Sequence, residues 1–200
     1  MMKSDVRLAI SPAIALAALL ALGPLSASAQ TTVYHFGDLI SGSGAPGDLD
    51  FATLSATVVG NDVQFTLQAG GLDQFSGSQP FIGALSIDGD MLGNVGGVSG
   101  GTSVKLANGG GPGGGWEFRF DLTGKKGDRL VDNESVSWTW EGGAGHFNGV
   151  GAHVQGLDYA GTTSAWYQAM PVPEPGGYAM FLSGLVVLGA MARRRRPDSR

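Results

Sequence analysis

The chain has 200 residues, 35 of them glycine and only 14% charged, a size that suits one folded unit with a real core and is short for two. Cysteine is absent, which excludes a disulfide framework, a thiolate metal cluster and a cysteine nucleophile. The net charge is −5, and residues 30–169 carry five basic and fourteen acidic side chains, a net −9 without the clustered basic surface that nucleic acid requires.

At the N-terminus, Lys3 and Arg7 precede an apolar run at residues 8–22, and Ala27-Ser28-Ala29 follows in the small-x-small pattern a signal peptidase reads. Cleavage after Ala29 would leave Gln30 as the first residue of the mature chain. A retained anchor is the competing reading. The run is about 15 residues, however, includes Ser11 and Pro12, and falls short of the roughly 20 residues that span a bilayer. Residues 1–29 are therefore read as a signal peptide helix and residues 30–169 as an exported body.

Within the body, apolar residues recur at period two, the signature of half-buried strands. Leu54, Ala56 and Val58 alternate with polar neighbours, Gly60-Asn61-Asp62 turns the chain, and Val63, Phe65 and Leu67 resume the alternation, which predicts a hairpin. Residues 81–87 form another predicted strand, and Asp88-Gly89 is a two-residue turn signal. Trp116, Phe118, Phe120 and Leu122 alternate with Glu117, Arg119 and Asp121. Val136, Trp138 and Trp140 do so with Ser137, Thr139 and Glu141, and Val150, Ala152 and Val154 with His153 and Gln155. Gly-rich loops are expected at residues 42–47, 93–101 and 109–115. The expected fold is all-β: an antiparallel β-sandwich or jelly-roll-like body with Trp116, Trp138 and Trp140 in its core, flanked by the signal peptide helix and a C-terminal transmembrane helix.

Few residues of the body suggest chemistry. Asp88-Gly89-Asp90, followed by Asn94, resembles part of an oxygen-ligand calcium loop, and Asp48-Leu49-Asp50 is a second acidic pair. The complete loop, with its terminal bidentate glutamate, is missing, so a hairpin turn with a solvated carboxylate is the favoured reading of Asp88 and Asp90, and calcium the alternative. His35, His146 and His153 are the only histidines, and none has the spacing of a zinc site. Glu117, Glu134 and Glu141 lie near aromatic residues, as the carboxylates of glycan-active enzymes do, but no nucleophile and base are paired in the sequence. The glycine run at 109–115 lacks the Lys-Ser/Thr ending and the helix of a phosphate loop.

The C-terminus is more specific. Residues 170–175 are a Pro-rich linker containing Val172-Pro173-Glu174-Pro175, in which two prolines hold Glu174 extended. Residues 176–192 are 17 in number without a charge, roughly 25 Å of helix at about 1.5 Å per residue, enough to cross a thin inner membrane. Arg193, Arg194, Arg195 and Arg196 then form a stop-transfer cluster in a basic cytoplasmic tail at 193–200.

These three parts, with Gly184-Leu185 in the apolar run, resemble the PEP-CTERM sorting signal of Gram-negative bacteria, also called the ice-binding protein C-terminal domain. The resemblance implies a substrate of exosortase, a membrane-embedded cysteine enzyme supplied in trans that cuts near Pro-Glu-Pro, and a setting of exopolysaccharide, biofilm or floc. A permanent membrane anchor is the alternative, distinguished by whether the helix is later removed. Residues 151–156, Gly-Ala-His-Val-Gln-Gly, followed by Ser164-Ala165-Trp166, resemble a stretch that precedes the sorting signal in some of these proteins and assigns no activity.

The sequence thus predicts an exported, noncatalytic protein, without resident cofactor unless calcium binds at Asp88 and Asp90. It would be handled by signal peptidase and exosortase, held transiently in the inner membrane, and delivered to the cell surface or extracellular matrix. A polysaccharide- or calcium-binding module and a glycan-active enzyme are the alternatives. Ice binding has no support in the body, which lacks a regular Thr-x-Thr or solenoid period.

Overall fold

The computed structural model describes residues 29–122 and 127–172, together with the helical residues 184–186 and 188. The body is built of ten strands: β1 (Gln30–Ser41), β2 (Ala52–Val59), β3 (Asp62–Ala69), β4 (Phe81–Gly89), β5 (Val95–Gly100), β6 (Lys105–Asn108), β7 (Phe118–Asp121), β8 (Ser135–Trp140), β9 (Phe147–Tyr159) and β10 (Thr162–Val172). Among the described residues a single 3-10 turn, Leu72–Gln74, leads towards β4. Asp132 fixes that turn by accepting the backbone N–H groups of Gly71 and Leu72 at 2.6 and 2.8 Å.

All ten strands belong to one antiparallel sheet in the order β5-β8-β3-β2-β1-β10-β9-β4-β7-β6. The expected hairpin β2–β3 closes through Gly60 and Asn61, with Val59 opposite Asp62, and Gly60 takes the positive φ of 64° that so short a loop demands. A second hairpin joins β9 to β10 through Ala160 and Gly161, both at positive φ. The sheet rolls over until its two ends face each other. Phe65 of β3 lies 5.7 Å from Phe120 of β7, and Phe118 of β7 lies 5.1 Å from Trp140 of β8, so rings from opposite ends of the strand order share one core. Phe51, Phe75 and Tyr167 form a second ring cluster, with centroids 4.9 to 5.5 Å apart. Burial of these large rings is the main favourable contribution to folding.

The all-β, antiparallel expectation agrees with this architecture, and four details differ. The layers are two ends of one continuous sheet rather than two separate sheets, because β1 and β10 pair across the middle. Asp88-Gly89 does not turn: both residues extend β4, opposite Gly149 and Phe147 of β9, and Gly89 lacks the positive φ of a hairpin turn. The expected loop at 93–101 contains β5, which pairs with β8 at one edge of the sheet. Trp138 and Trp140 are buried as expected, but Trp116 precedes β7 and is only half-buried, its indole lying over Gly151 on the outside of the sheet.

β1 and β10 hold the middle of the sheet. In β1 a bulge falls at Gly37, where any Cβ would strike the carbonyl of Leu49. β10 runs through Met170 and Pro171 to Val172, into the stretch that the sequence assigns to a linker, and Val172 pairs with Val33. No helix among the described residues is long and apolar enough to cross a membrane. All of the expected signal peptide helix at 1–29 except Ala29, and most of the expected helix at 176–192, lie outside the described residues.

Candidate functional site

A strand that buries one face presents every second side chain outward, and register decides which of these meet. On the outer face of four adjacent strands, pairing sets Asp121 of β7 opposite Ala84 of β4, Ala84 opposite His153 of β9, and His153 opposite Trp166 of β10. The next outer row runs from Arg119 through Ser86 and Gly151 to Gln168. A third sets Phe81 opposite Gln155 and Gln155 opposite Ser164.

The middle of this face is kept low by Gly83 and Ala84, while Trp116 covers Gly151 in the next row, and its flanks are tall. His153 and Trp166 stack with ring centroids 4.3 Å apart and planes 5° from parallel. That separation is close to the spacing of neighbouring strands, about 4.8 Å, so the two rings stand on edge above the sheet, face to face. Gln155 Nε2 donates to His153 Nδ1 at 3.0 Å, which leaves the imidazole proton on Nε2. Burial, with Arg119 as a second cause, lowers the His153 pKa from 6.5 to about 4, so the ring is neutral near pH 7.

On the opposite flank, Arg119 donates from Nε to Asp121 Oδ1 at 2.6 Å and from Nη2 to Oδ2 at 3.4 Å. Its Nη1 donates to the carbonyls of Gly109 and Asn108 at 2.7 and 3.3 Å. The Ser86 hydroxyl donates to Gly110 O at 3.1 Å, so the glycine run at 109–115 folds over the outer face beside Arg119. Between the flanks lies a cavity of about 270 Å³, walled by Arg119, Asp121, His153, Gln155 and Trp166. A larger cavity of about 600 Å³ shares Gln155 with it and is lined by Phe81, Arg129, Asp158, Thr163 and Ser164 among others. There the Arg129 guanidinium sits 4.3 Å above the Phe81 ring.

The residues singled out in the sequence are scattered. Asp88 lies in β4; Asp90, just beyond it, pairs with His146 Nδ1 at 3.3 Å, and His35 pairs with Asp50 at 2.9 Å. Among the described residues no group of three or more histidine or acidic side chains is placed to hold a metal ion. Glu117 accepts the Gly89 N–H at 3.0 Å and Glu134 the Val131 N–H at 3.1 Å, while Glu141 is exposed at the end of β8. Gln30 opens β1 and Val172 closes β10; Ala29 precedes the first strand. Ala27, Pro173, Glu174, Pro175 and Arg193, Arg194, Arg195 and Arg196 lie outside the described residues.

The row of Asp121, Ala84, His153 and Trp166 was not assembled from sequence. Its one signal was the stretch at 151–156 with Ser164-Ala165-Trp166, whose His153, Gln155 and Trp166 the β9–β10 register brings together.

A family model for the PEP-CTERM protein-sorting motif matches residues 171–196. The chain therefore carries a PEP-CTERM sorting domain, which marks it for exosortase processing and export toward the cell surface. No curated protein and no solved structure matches the chain.

Proposed function

We propose that this protein is a noncatalytic component of the extracellular matrix, delivered by exosortase and working in contact with exopolysaccharide. The observation that carries the reading is the position of the sorting motif: its match begins at Pro171, inside β10, so the signal is attached to the body without an intervening domain. The body's own glutamates support a noncatalytic role, since Glu117 and Glu134 are engaged by backbone N–H groups of neighbouring turns and strand ends. Before processing, the apolar segment at 176–192 holds the chain in the inner membrane, because the four arginines beyond it are costly to carry across. Glu174, fixed between two prolines, is recognised rather than reactive.

The test is delivery. In a producing cell, the tagged protein is expected in the extracellular matrix, shortened by about 2 to 3 kDa for the roughly 25 residues beyond the triplet. Glu174→Ala should leave insertion intact and block release, whereas alanines at Arg193, Arg194, Arg195 and Arg196 should misorient or release uncut precursor. A matrix protein that retains its tail would make the segment a permanent anchor, and polysaccharide hydrolysis abolished by changing one glutamate would make the protein an enzyme.

A further inference from the structure

The outer face of β7, β4, β9 and β10 combines features that a solvated surface does not require. Its floor is made of the smallest residues, and a Cβ on Gly83 would come within 2.9 Å of the Gln155 amide. Two open cavities meet at Gln155, and their walls mix hydroxyl, amide and charged groups with aromatic rings. A pocket for a compact apolar molecule is enclosed and mostly apolar; a trough of this kind suits a long ligand rich in hydroxyls and C–H faces.

Charge narrows the choice. Residues 30–169 carry a net −9, yet both arginines of that stretch line these two cavities, Arg119 with Asp121 in the smaller and Arg129 with Asp158 in the larger. Arg119 is neutralised by Asp121. Arg129 forms no ion pair among the described residues and rests on the Phe81 ring, which holds the planar guanidinium in place with its edge donors available. A guanidinium so placed matches a carboxylate, which it binds through two parallel hydrogen bonds.

We infer that this trough binds an extended acidic polysaccharide, one sugar ring lying against the His153 imidazole between Trp166 and the Arg119–Asp121 pair, and a neighbouring sugar carboxylate meeting Arg129. His153, held neutral, offers its Nε2 proton to a sugar oxygen, while Gln155 Oε1 accepts from a hydroxyl where the two cavities join. The inference rests on the proposed contact with exopolysaccharide and names the surface that makes it.

The experiment uses the full chain in mild detergent, run through native gels containing alginate, a polyuronate, or dextran, a neutral glucan, at near-physiological salt. Alginate is expected to retard the protein and dextran is not. Arg129→Gln should weaken the retardation about tenfold or more, the loss of a charge-assisted contact, and Arg129→Lys should restore part of it. His153→Ala, checked for an unchanged melting temperature, should weaken it as well. No retardation by alginate, equal retardation by dextran, or an Arg129→Gln variant that binds alginate as well as the parent would each overturn the inference. Arg129→Gln should still be processed and delivered. A protein found in the matrix that fails to bind alginate sinks the site but spares the proposed function, whereas a protein absent from the matrix sinks the proposed function.

Discussion

Two neighbouring rows of residues cross the same four strands and differ by one position in each. Phe120, Leu85, Ala152 and Tyr167 pair in sequence across β7, β4, β9 and β10, and all four are fully buried. Asp121, Ala84, His153 and Trp166 pair across the same strands on the opposite face. The inner row fills space and the outer row leaves a hollow between two upright flanks. Since side chains alternate strictly, a one-residue slip in any of these strands would exchange the rows, so the packing of the inner one fixes the alignment of the outer one. The trough is positioned by the core beneath it.

That dependence predicts unequal consequences. Phe120→Ala should cost most, about 3 to 5 kcal/mol by chemical denaturation, because Phe120 touches Phe65, Phe118, Trp138 and Trp140 and its loss opens a void under the β7 flank that carries Arg119 and Asp121. If the outer row is independent of the inner, binding by the folded fraction would survive this change, and the comparison would fail.

Acid should act through the outer row. The His153 pKa is lowered to about 4 in the folded chain, so between pH 6.5 and about 4 the unfolded chain takes up a proton that the folded chain refuses. Stability is fully present above pH 6.5 and declines as pH falls through this window, by about 2 kcal/mol after allowance for solvent screening. The groups facing the imidazole are Arg119, which opposes its protonation, Asp121, Gln155 and Trp166. Denaturation midpoints measured from pH 7 to 4 should flatten in His153→Gln; an equal slope in parent and variant would assign the acid sensitivity elsewhere.

The inner face holds a finer contrast. Trp140 Nε1 donates to Leu92 O at 2.6 Å, while Trp138 Nε1, two residues earlier on β8, is buried without a partner. Trp140→Phe should therefore cost about 1 kcal/mol more than Trp138→Phe, since only the former loses a hydrogen bond. Equal midpoints for the two variants would refute that assignment. Trp166→Ala should have the smallest effect on stability, about 0.5 to 1 kcal/mol for the lost stacking on His153, while removing the backing of the imidazole. A cost comparable to that of Phe120→Ala would place Trp166 with the core.

Legibility from sequence followed the same division. β2, β3, β7, β8 and β9 were visible because one face of each carries large apolar residues at period two, as in Val136, Trp138 and Trp140. β1 was not, since most of its residues are half-buried on both faces and bulges break the alternation. β5 hid in Val95-Gly96-Gly97-Val98-Ser99-Gly100, where glycine carries no pattern. Asp88-Gly89 misled because a local turn preference was outweighed by pairing with β9, about 60 residues away in the chain. The sorting motif, matched at residues 171–196, was legible because it is a linear pattern. The trough was not, because it depends on the register among four strands, and register is a property of pairs that no single segment encodes.

The pairing of Val33 with Val172 bears on how the protein leaves the cell. β1 stands in the middle of the sheet, so the first strand to emerge waits with one edge open for the last. Synthesis and translocation deliver the N-terminal hairpins early, but the junction that unites the two ends of the sheet is the most distant in the chain, and distant junctions close slowly. Until β10 is outside, an uncovered edge is available to other strands, the usual route to misassembly. Because the sorting motif begins at Pro171, inside β10, it follows the last strand across the membrane and arrives as the sheet can first be completed. On the proposed processing, placement of the motif doubles as a timer: a chain whose tail is cut is one whose last strand has already crossed.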